Sequence, residues 1–138
     1  MEKASFEALG GRAILEAIAK TFYDKVYKHP WLGKYFQHVL QEHIENQQVD
    51  FMQQALGGPS VYRGRTPPSA HVHIHVTEHL FELRESLLLE ALKEHRASEE
   101  LILRWKKIEL AFKSRIVKKD IQDCTKRYPT DDILDFAP

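Results

Sequence analysis

The sequence has 138 residues, of which 43% are hydrophobic and 29% are charged. This length and composition predict one domain with a single hydrophobic core and exclude a disordered chain. Twenty basic residues balance twenty acidic ones, so no long-range field attracts the chain to nucleic acid or to anionic lipid. No apolar run approaches the roughly 18 residues that a membrane-spanning helix requires, so we expect neither a nucleic acid nor a membrane as partner.

Two features of the composition bear on the location of the protein. Charged residues such as Glu2, Lys3 and Glu7 stand near the start, where a secretory signal needs a continuous apolar core. The single cysteine, Cys124, has no partner for an internal disulfide, which fits a reducing compartment. We therefore expect a cytoplasmic protein.

The first half of the chain predicts two helices joined by a short aromatic turn. Gly10 and Gly11 open the first helix, which ends at Pro30 and Gly33. Its apolar face is formed by Leu15, Ile18, Phe22 and Val26. Residues 31–36 form the aromatic turn. A second helix is predicted from about Leu40 to Leu56, with an apolar stripe formed by Leu40, Ile44, Phe51 and Ala55.

The second half predicts an ordered loop, two more helices and a tail. Three prolines and a glycine between Pro59 and Ala70 indicate the loop. Helical spacing returns from Glu78 to Lys93, and Ser98 is the predicted N-cap of a last helix that continues to Ile116. We divide the chain into a domain, residues 1–118, and an extension, residues 119–138. The tail is expected to be poorly ordered or folded back over the domain.

Polar residues interrupt the apolar faces of both predicted helices in the first half. Gln47 and Gln48 fall where the stripe should continue between Ile44 and Phe51, and Tyr23 follows Phe22 at the core edge of the first helix. A buried amide or hydroxyl without a partner costs about 2 kcal/mol or more. Solvent or neighbouring backbone could satisfy the glutamines, but polar groups on two inner faces suggest a small polar ligand between them.

The run from His71 to Val76 alternates histidine with aliphatic residues. As a strand it would place His71, His73 and His75 on one face, which suits a transition metal and defines the alternative function, a haem-free metal-binding helical module. As a helix, only His71 and His75 share a face. No other segment offers a strand partner, so a metal site of the β type is disfavoured, and for His73 we prefer a solvated, incidental role. Phosphate-binding and nucleophile motifs are missing from the sequence.

The order of the motifs resembles the group I truncated haemoglobins, over about residues 4–118. The matching motifs are Phe6-x-x-Leu9-Gly10-Gly11, Phe22-Tyr23, Tyr35-Phe36, Gln47-Gln48-x-x-Phe51, Leu56-Gly57-Gly58-Pro59, Tyr62-x-Gly64, and Ala70-His71 followed by Phe81. This resemblance implies an all-α truncated globin fold, a two-on-two helical sandwich around non-covalent haem b. It also implies binding of dioxygen, nitric oxide and carbon monoxide at ferrous iron.

The resemblance assigns the site residue by residue. His71 matches the proximal iron ligand on a short helix, Tyr23 the distal tyrosine, and Gln48 the glutamine that assists it. Ile44 stands where other globins often keep a distal histidine, so hydrogen bonds to the ligand must come from Tyr23 and Gln48. The remaining expected pocket residues are Phe22, Phe36, Ile44, Gln47, Phe51, Met52, Tyr62, Val76 and Phe81.

Departures from the family pattern refine these expectations. Gln47 stands where some relatives place a histidine that closes the sixth iron position, so we expect an open or water-bound distal site. Some relatives link haem covalently through a histidine in the last helix, but no histidine follows His95 here. His73 and His75 lie outside the pattern and could neighbour the haem propionates or a second metal. Slow dioxygen release would favour nitric oxide dioxygenation, with a separate reductase, or gas sensing over transport.

Overall fold

The computed structural model describes residues 4–138 and is almost entirely helical. Five α-helices follow one another: α1 (Gly11–Lys28), α2 (Gln41–Ala55), α3 (Pro67–Ala70), α4 (Glu78–Glu94) and α5 (Glu99–Ile116). A 3₁₀ turn, Leu32–Phe36, joins α1 to α2, and another, Ile121–Asp123, follows α5. Within the described residues there is no strand, only isolated bridges from Ile74 to Leu134 and from Val76 to Val117. None of the described helices is long and apolar enough to cross a membrane.

Helix ends follow from local chemistry in the sequence. The hydroxyl of Ser98 accepts a hydrogen bond from the backbone N–H of Leu101 at 3.1 Å, as the sequence predicts. Thr77 caps α4 in the same way, through the N–H of Leu80. Gly57, with a φ of +89°, follows the end of α2, and a Cβ on Gly58 would lie 2.7 Å from the ring of Phe6. These glycines therefore end α2 where side chains would be strained or would clash.

The core forms where α1 packs against α2 and α4. The predicted apolar face of α1 is confirmed, because Leu15, Ile18, Phe22 and Val26 are all buried. The predicted stripe of α2 is wrong as a core face. Leu40 is 79% exposed at the N-cap and Ala55 is exposed, whereas the buried face is formed by Val49, Met52, Gln53 and Leu56. Ile44 and Phe51 lie half-buried on another face of the helix.

Gln53 is a buried polar residue that the sequence pattern did not indicate. Its amide nitrogen donates to the carbonyl oxygen of Pro59 at 3.0 Å, and its amide oxygen accepts from Arg12 at 3.1 Å. Arg12 also bonds Asp50 at 2.9 Å. Each buried polar atom of Gln53 thus has a partner, and the network holds the chain that leaves α2 against the start of α1.

The C-terminal tail folds back over the segment that follows α3. The backbone N–H of Leu134 donates to the carbonyl oxygen of His73, and the N–H of His75 donates to the carbonyl oxygen of Leu134, both at 2.9 Å. The indole of Trp31 donates to the carbonyl oxygen of Phe136 at 2.7 Å. Of the two expectations for the tail, folding back is the one observed. The tail also supplies the pairing partner that the sequence did not reveal for residues 71–76.

Candidate functional site

His71 lies at the end of α3, a single helical turn that two prolines begin. Proline fixes φ near the helical value and needs no N–H partner at a helix start, so this sequence favours one turn of helix within the predicted loop. The ring Nδ1 of His71 lies 2.6 Å from the carbonyl oxygen of Pro67. Because a carbonyl only accepts, Nδ1 carries the hydrogen and Nε2 is left with a free lone pair.

The ionisation of His71 follows from its surroundings. The pKa of the imidazole is lowered to about 4, chiefly by burial and to a lesser degree by the charges of Arg84 and Lys118, although the bond to Pro67 opposes the shift. The imidazole is therefore neutral at pH 7. A neutral imidazole with one nitrogen fixed and the other free is the form that binds a transition metal.

Tyr23 lies on α1 in an aromatic environment. Its side chain is 4% exposed. Its ring meets Phe22 edge to face with centroids 4.8 Å apart, and Phe36 at 6.0 Å. Burial raises the pKa of the phenol to about 12, although the nearby guanidinium of Arg84 opposes this shift. The hydroxyl therefore keeps its hydrogen at every physiological pH and is a hydrogen-bond donor.

The half-buried face of α2 carries the residues that the resemblance places on the distal side. Ile44, Gln47, Gln48 and Phe51 are all half-buried. Phe51 packs against Tyr62, with centroids 5.3 Å apart, and against Phe112 at 6.1 Å.

The other expected pocket residues divide between two clusters. Met52 is fully buried in the main core with Phe22. Val76 and Phe81 form a second cluster with Ile116, and Phe112 packs against it. Phe112 thus links the second cluster to Phe51. Nothing in the sequence distinguishes Phe112 from a core residue of α5, because its spacing fits the apolar face of that helix.

A half-buried ion pair between α4 and α5 was not predicted from the sequence. The guanidinium of Arg84 makes two hydrogen bonds to the carboxylate of Glu109, at 2.9 and 3.2 Å. The charges of Arg84 and Glu109 both contribute to the pKa values of Tyr23 and His71, with opposite signs. Arginine and glutamate at these positions look like ordinary surface residues in a helical pattern, and only the fold reveals that they face inward.

The remaining histidines of the run do not gather into a metal site. His73 is 7% exposed, so the predicted solvated role is wrong, because the folded-back tail covers it. The ring Nδ1 of His75 lies 3.2 Å from a carboxylate oxygen of Asp135. No group of three or more histidine, cysteine or acidic side chains in residues 4–138 is arranged to hold a metal ion. The haem-free module with His71, His73 and His75 is therefore not favoured.

Comparison with known proteins identifies the family. A model of the bacterial-like globin family matches residues 4–116. A group 1 truncated haemoglobin of Tetrahymena thermophila is 35% identical over 97 residues, which cover 70% of this chain and 80% of that protein. The chain therefore belongs to the bacterial-like globins and, within them, to the truncated haemoglobins. This confirms the resemblance drawn from the sequence motifs. Haem-based binding of dioxygen and other small gases follows from family membership.

Solved structures agree with this assignment. The truncated haemoglobin of Tetrahymena pyriformis in its Fe(III) form matches with a TM-score of 0.75 and 27% identity, covering 83% of this chain and 97% of that one. The 2/2 haemoglobin of Synechococcus sp. PCC 7002, a cyanomet form with covalently attached haem, matches with a TM-score of 0.72 and 29% identity, covering 81% and 95%. The predicted all-α, two-on-two globin fold is thereby confirmed.

Proposed function

We propose that this globin holds haem b without a covalent bond, with His71 as the proximal iron ligand and Tyr23 and Gln48 as distal hydrogen-bond donors. The observation that carries the proposal is the hydrogen bond of 2.6 Å between Nδ1 of His71 and the carbonyl oxygen of Pro67. It selects Nε2 as the nitrogen for the iron and fixes the plane of the ring. Haem, when bound, supplies the iron at which a diatomic gas binds.

The residues present fit a haem group. The low pKa of His71, about 4, means that no proton competes for Nε2 at neutral pH. Phe36, Phe51 and Phe112 offer half-buried aromatic surface, which suits a large flat apolar ring. A covalent bond through a histidine of α5 is not expected, because the sequence has none after His95.

The distal side chains would favour ligands that carry negative charge. The Tyr23 hydroxyl and the Gln48 amide donate to a bound gas, and the interaction is stronger when the ligand draws electron density, as dioxygen does. Carbon monoxide draws less electron density from the iron and is therefore stabilised less by these hydrogen bonds. We therefore propose slow dioxygen release, with nitric oxide dioxygenation or gas sensing rather than bulk transport.

Nitric oxide dioxygenation defines what a partner must provide. The reaction converts nitric oxide, dioxygen and one electron into nitrate, and a separate reductase must supply that electron. Within the chain, the task of Tyr23 and Gln48 is to retain dioxygen until nitric oxide arrives. A cytoplasmic location, where a reductase and reduced cofactors are available, fits this role.

An absorption spectrum tests the proposal. Protein purified with haem, or reconstituted with one equivalent, should show an intense Soret band that shifts on reduction and again on addition of carbon monoxide. His71→Ala should lose most of this absorbance. Reconstituted wild-type protein that shows only the spectrum of free haem would refute the proposal. A normal ferrous-carbonyl spectrum in His71→Ala would refute the proximal assignment alone.

A further inference from the structure

A half-buried charge cluster joins α4 and α5. The guanidinium of Arg84 bonds both carboxylate oxygens of Glu109, and its Nη1 also donates to Glu85 at 2.9 Å. The indole N–H of Trp105 donates to Oε1 of Glu109 at 3.1 Å, an oxygen that also accepts from Nη2 of Arg84. The side chain of Arg84 is 23% exposed and that of Glu109 is 13% exposed. Pairing offsets the loss of hydration of these partly buried charges, and three hydrogen bonds to carboxylates restrain the position of the guanidinium.

The fixed guanidinium lies over the ring of Phe22, which packs against the distal tyrosine. Its Cζ is 5.1 Å from the ring centroid of Phe22, and the rings of Phe22 and Tyr23 are 4.8 Å apart. The positive charge of Arg84 opposes the rise in the pKa of Tyr23, and the negative charge of Glu109 adds to that rise. Both charges therefore act on the hydroxyl, with opposite preferences for its orientation.

A phenol has one hydrogen to donate and lone pairs that accept. A guanidinium has only donors, so beside it the tyrosine oxygen accepts and the tyrosine hydrogen points elsewhere. A carboxylate has only acceptors, so beside it the tyrosine hydrogen would be captured. A hydrogen bond from Arg84 would therefore leave the tyrosine hydrogen to a ligand, whereas without Arg84 the carboxylate of Glu109 would compete for that hydrogen.

We propose that Arg84 is a positioning residue for Tyr23: held by Glu109 and Glu85, it donates a hydrogen bond to the tyrosine oxygen and so directs the tyrosine hydrogen to the gas ligand. The inference rests on the proposed distal role of Tyr23. It adds a charged residue of α4 to the distal hydrogen-bonding groups, which the proposed function places on α1 and α2.

A mutant cycle with Tyr23 tests the proposal. Arg84→Met should accelerate dioxygen dissociation about tenfold, the effect of weakening one hydrogen bond to a strongly polar group. In a Tyr23→Phe background the same substitution should change the rate by less than about twofold, because residues that act through one another are not additive. In the carbonyl complex, Arg84→Met should raise the C–O stretching frequency and move the ¹³Cζ resonance of Tyr23.

Arg104→Met is the matched control. The side chain of Arg104 is 22% exposed and, like Arg84, it is paired, with Glu100 at 3.4 Å and with the carbonyl oxygen of Leu56 at 3.1 Å. Its loss should lower stability while leaving the dioxygen rate, the C–O frequency and the Tyr23 resonance in place. A control that moved these readouts as far as Arg84→Met would overturn the proposal.

Removal of Arg84 alone leaves the half-buried carboxylates of Glu85 and Glu109 without their partner, which destabilises the fold. The triple variant Arg84→Met/Glu85→Gln/Glu109→Gln removes the charge of both carboxylates that Arg84 pairs with and keeps an acceptor for Trp105. It should still shift the Tyr23 resonance, and its dioxygen rate should lie between those of wild type and Arg84→Met, because an amide competes for the tyrosine hydrogen less strongly than a carboxylate.

The outcomes separate this proposal from the proposed function. If Tyr23→Phe accelerates dioxygen release but neither Arg84 variant alters the rate or the resonance, the role of Arg84 is refuted and that of Tyr23 stands. The role of Arg84 is also refuted if Arg84→Met changes the dioxygen dissociation rate equally in the wild-type and the Tyr23→Phe backgrounds. If Tyr23→Phe leaves the rate unchanged, both the distal role of Tyr23 and the positioning role of Arg84 fail.

Discussion

The ammonium group of Lys118 donates hydrogen bonds to the carbonyl oxygens of His71 and Ile74, at 2.9 and 2.8 Å. A third bond, of 3.1 Å, goes to the carbonyl oxygen of Ile116 at the end of α5. Burial lowers the pKa of Lys118, but three acceptors compensate for much of the lost hydration. The backbone that carries the candidate iron ligand is thus fixed by a side chain just beyond the last helix.

Lys118→Met should loosen this segment. Three carbonyl oxygens lose a charged donor, and we expect the free energy of unfolding to fall by about 2 kcal/mol or more. Haem should dissociate faster because His71 is held less firmly. Urea unfolding and transfer of haem to an excess of an acceptor protein measure the two effects. Lys119→Met, at the exposed neighbouring position, is the control, and equal behaviour of the two variants would contradict the role given to Lys118.

His71→Ala should abolish or sharply weaken haem retention, because the proposed protein bond to iron is lost. His73→Ala should leave the spectrum nearly unchanged. His73 is buried beneath the tail, so its loss should lower stability instead, as creation of a cavity does. Soret absorbance and haem affinity of both variants decide between the two histidines. Loss of the haem spectrum in His73→Ala, with retention in His71→Ala, would reverse the assignment.

The sequence predicted those features that depend on local spacing. The face of α1 and the cap at Ser98 are of this kind, and the structure reproduces both. For α2 the pattern misled, since a helix with two partly apolar faces does not reveal which one meets α1. The apolar spacing places Leu40 on the predicted core face, whereas in the structure Leu40 is the exposed N-cap of α2.

Contacts between distant segments could not be predicted from local spacing in the sequence. Arg84 and Glu109 are 25 positions apart, and Lys118 and His71 are 47 apart. Nothing in either neighbourhood distinguishes these charges from solvated ones. The contacts of the tail could not be predicted for the same reason, because residues such as Leu134 and Phe136 pack against the core only after the chain has folded back.

Tyr23→Phe should accelerate dioxygen release and autoxidation while changing carbon monoxide binding less. The lost hydrogen bond is worth about 1.5–3 kcal/mol, or about one to two decades in rate. Gln48→Leu should act in the same direction but more weakly, and the two effects should not be additive. Stopped-flow dioxygen dissociation from both single variants and the double variant measures this. Purely additive effects would show that the two side chains act independently.

The tail carries an ion pair whose contribution should depend on pH. Asp131 accepts hydrogen bonds from the backbone N–H and from the guanidinium of Arg127, both at 2.9 Å. These bonds lower the pKa of Asp131 to about 2. In the unfolded chain an aspartate has a pKa of about 3.9. Because the folded pKa is the lower one, the stabilisation is complete above about pH 4 and is lost as the pH falls toward about 2.

Asp131→Asn should therefore be less stable than wild type at about pH 6, and the difference should shrink as the pH is lowered from about 4 to about 2. Urea unfolding followed by circular dichroism at a series of pH values gives the difference. Asp132→Asn, an exposed neighbour, should show no such dependence. A difference between wild type and Asp131→Asn that stays constant down to about pH 2 would show that the amide loses packing or geometry rather than charge, and that the pair with Arg127 does not hold the tail.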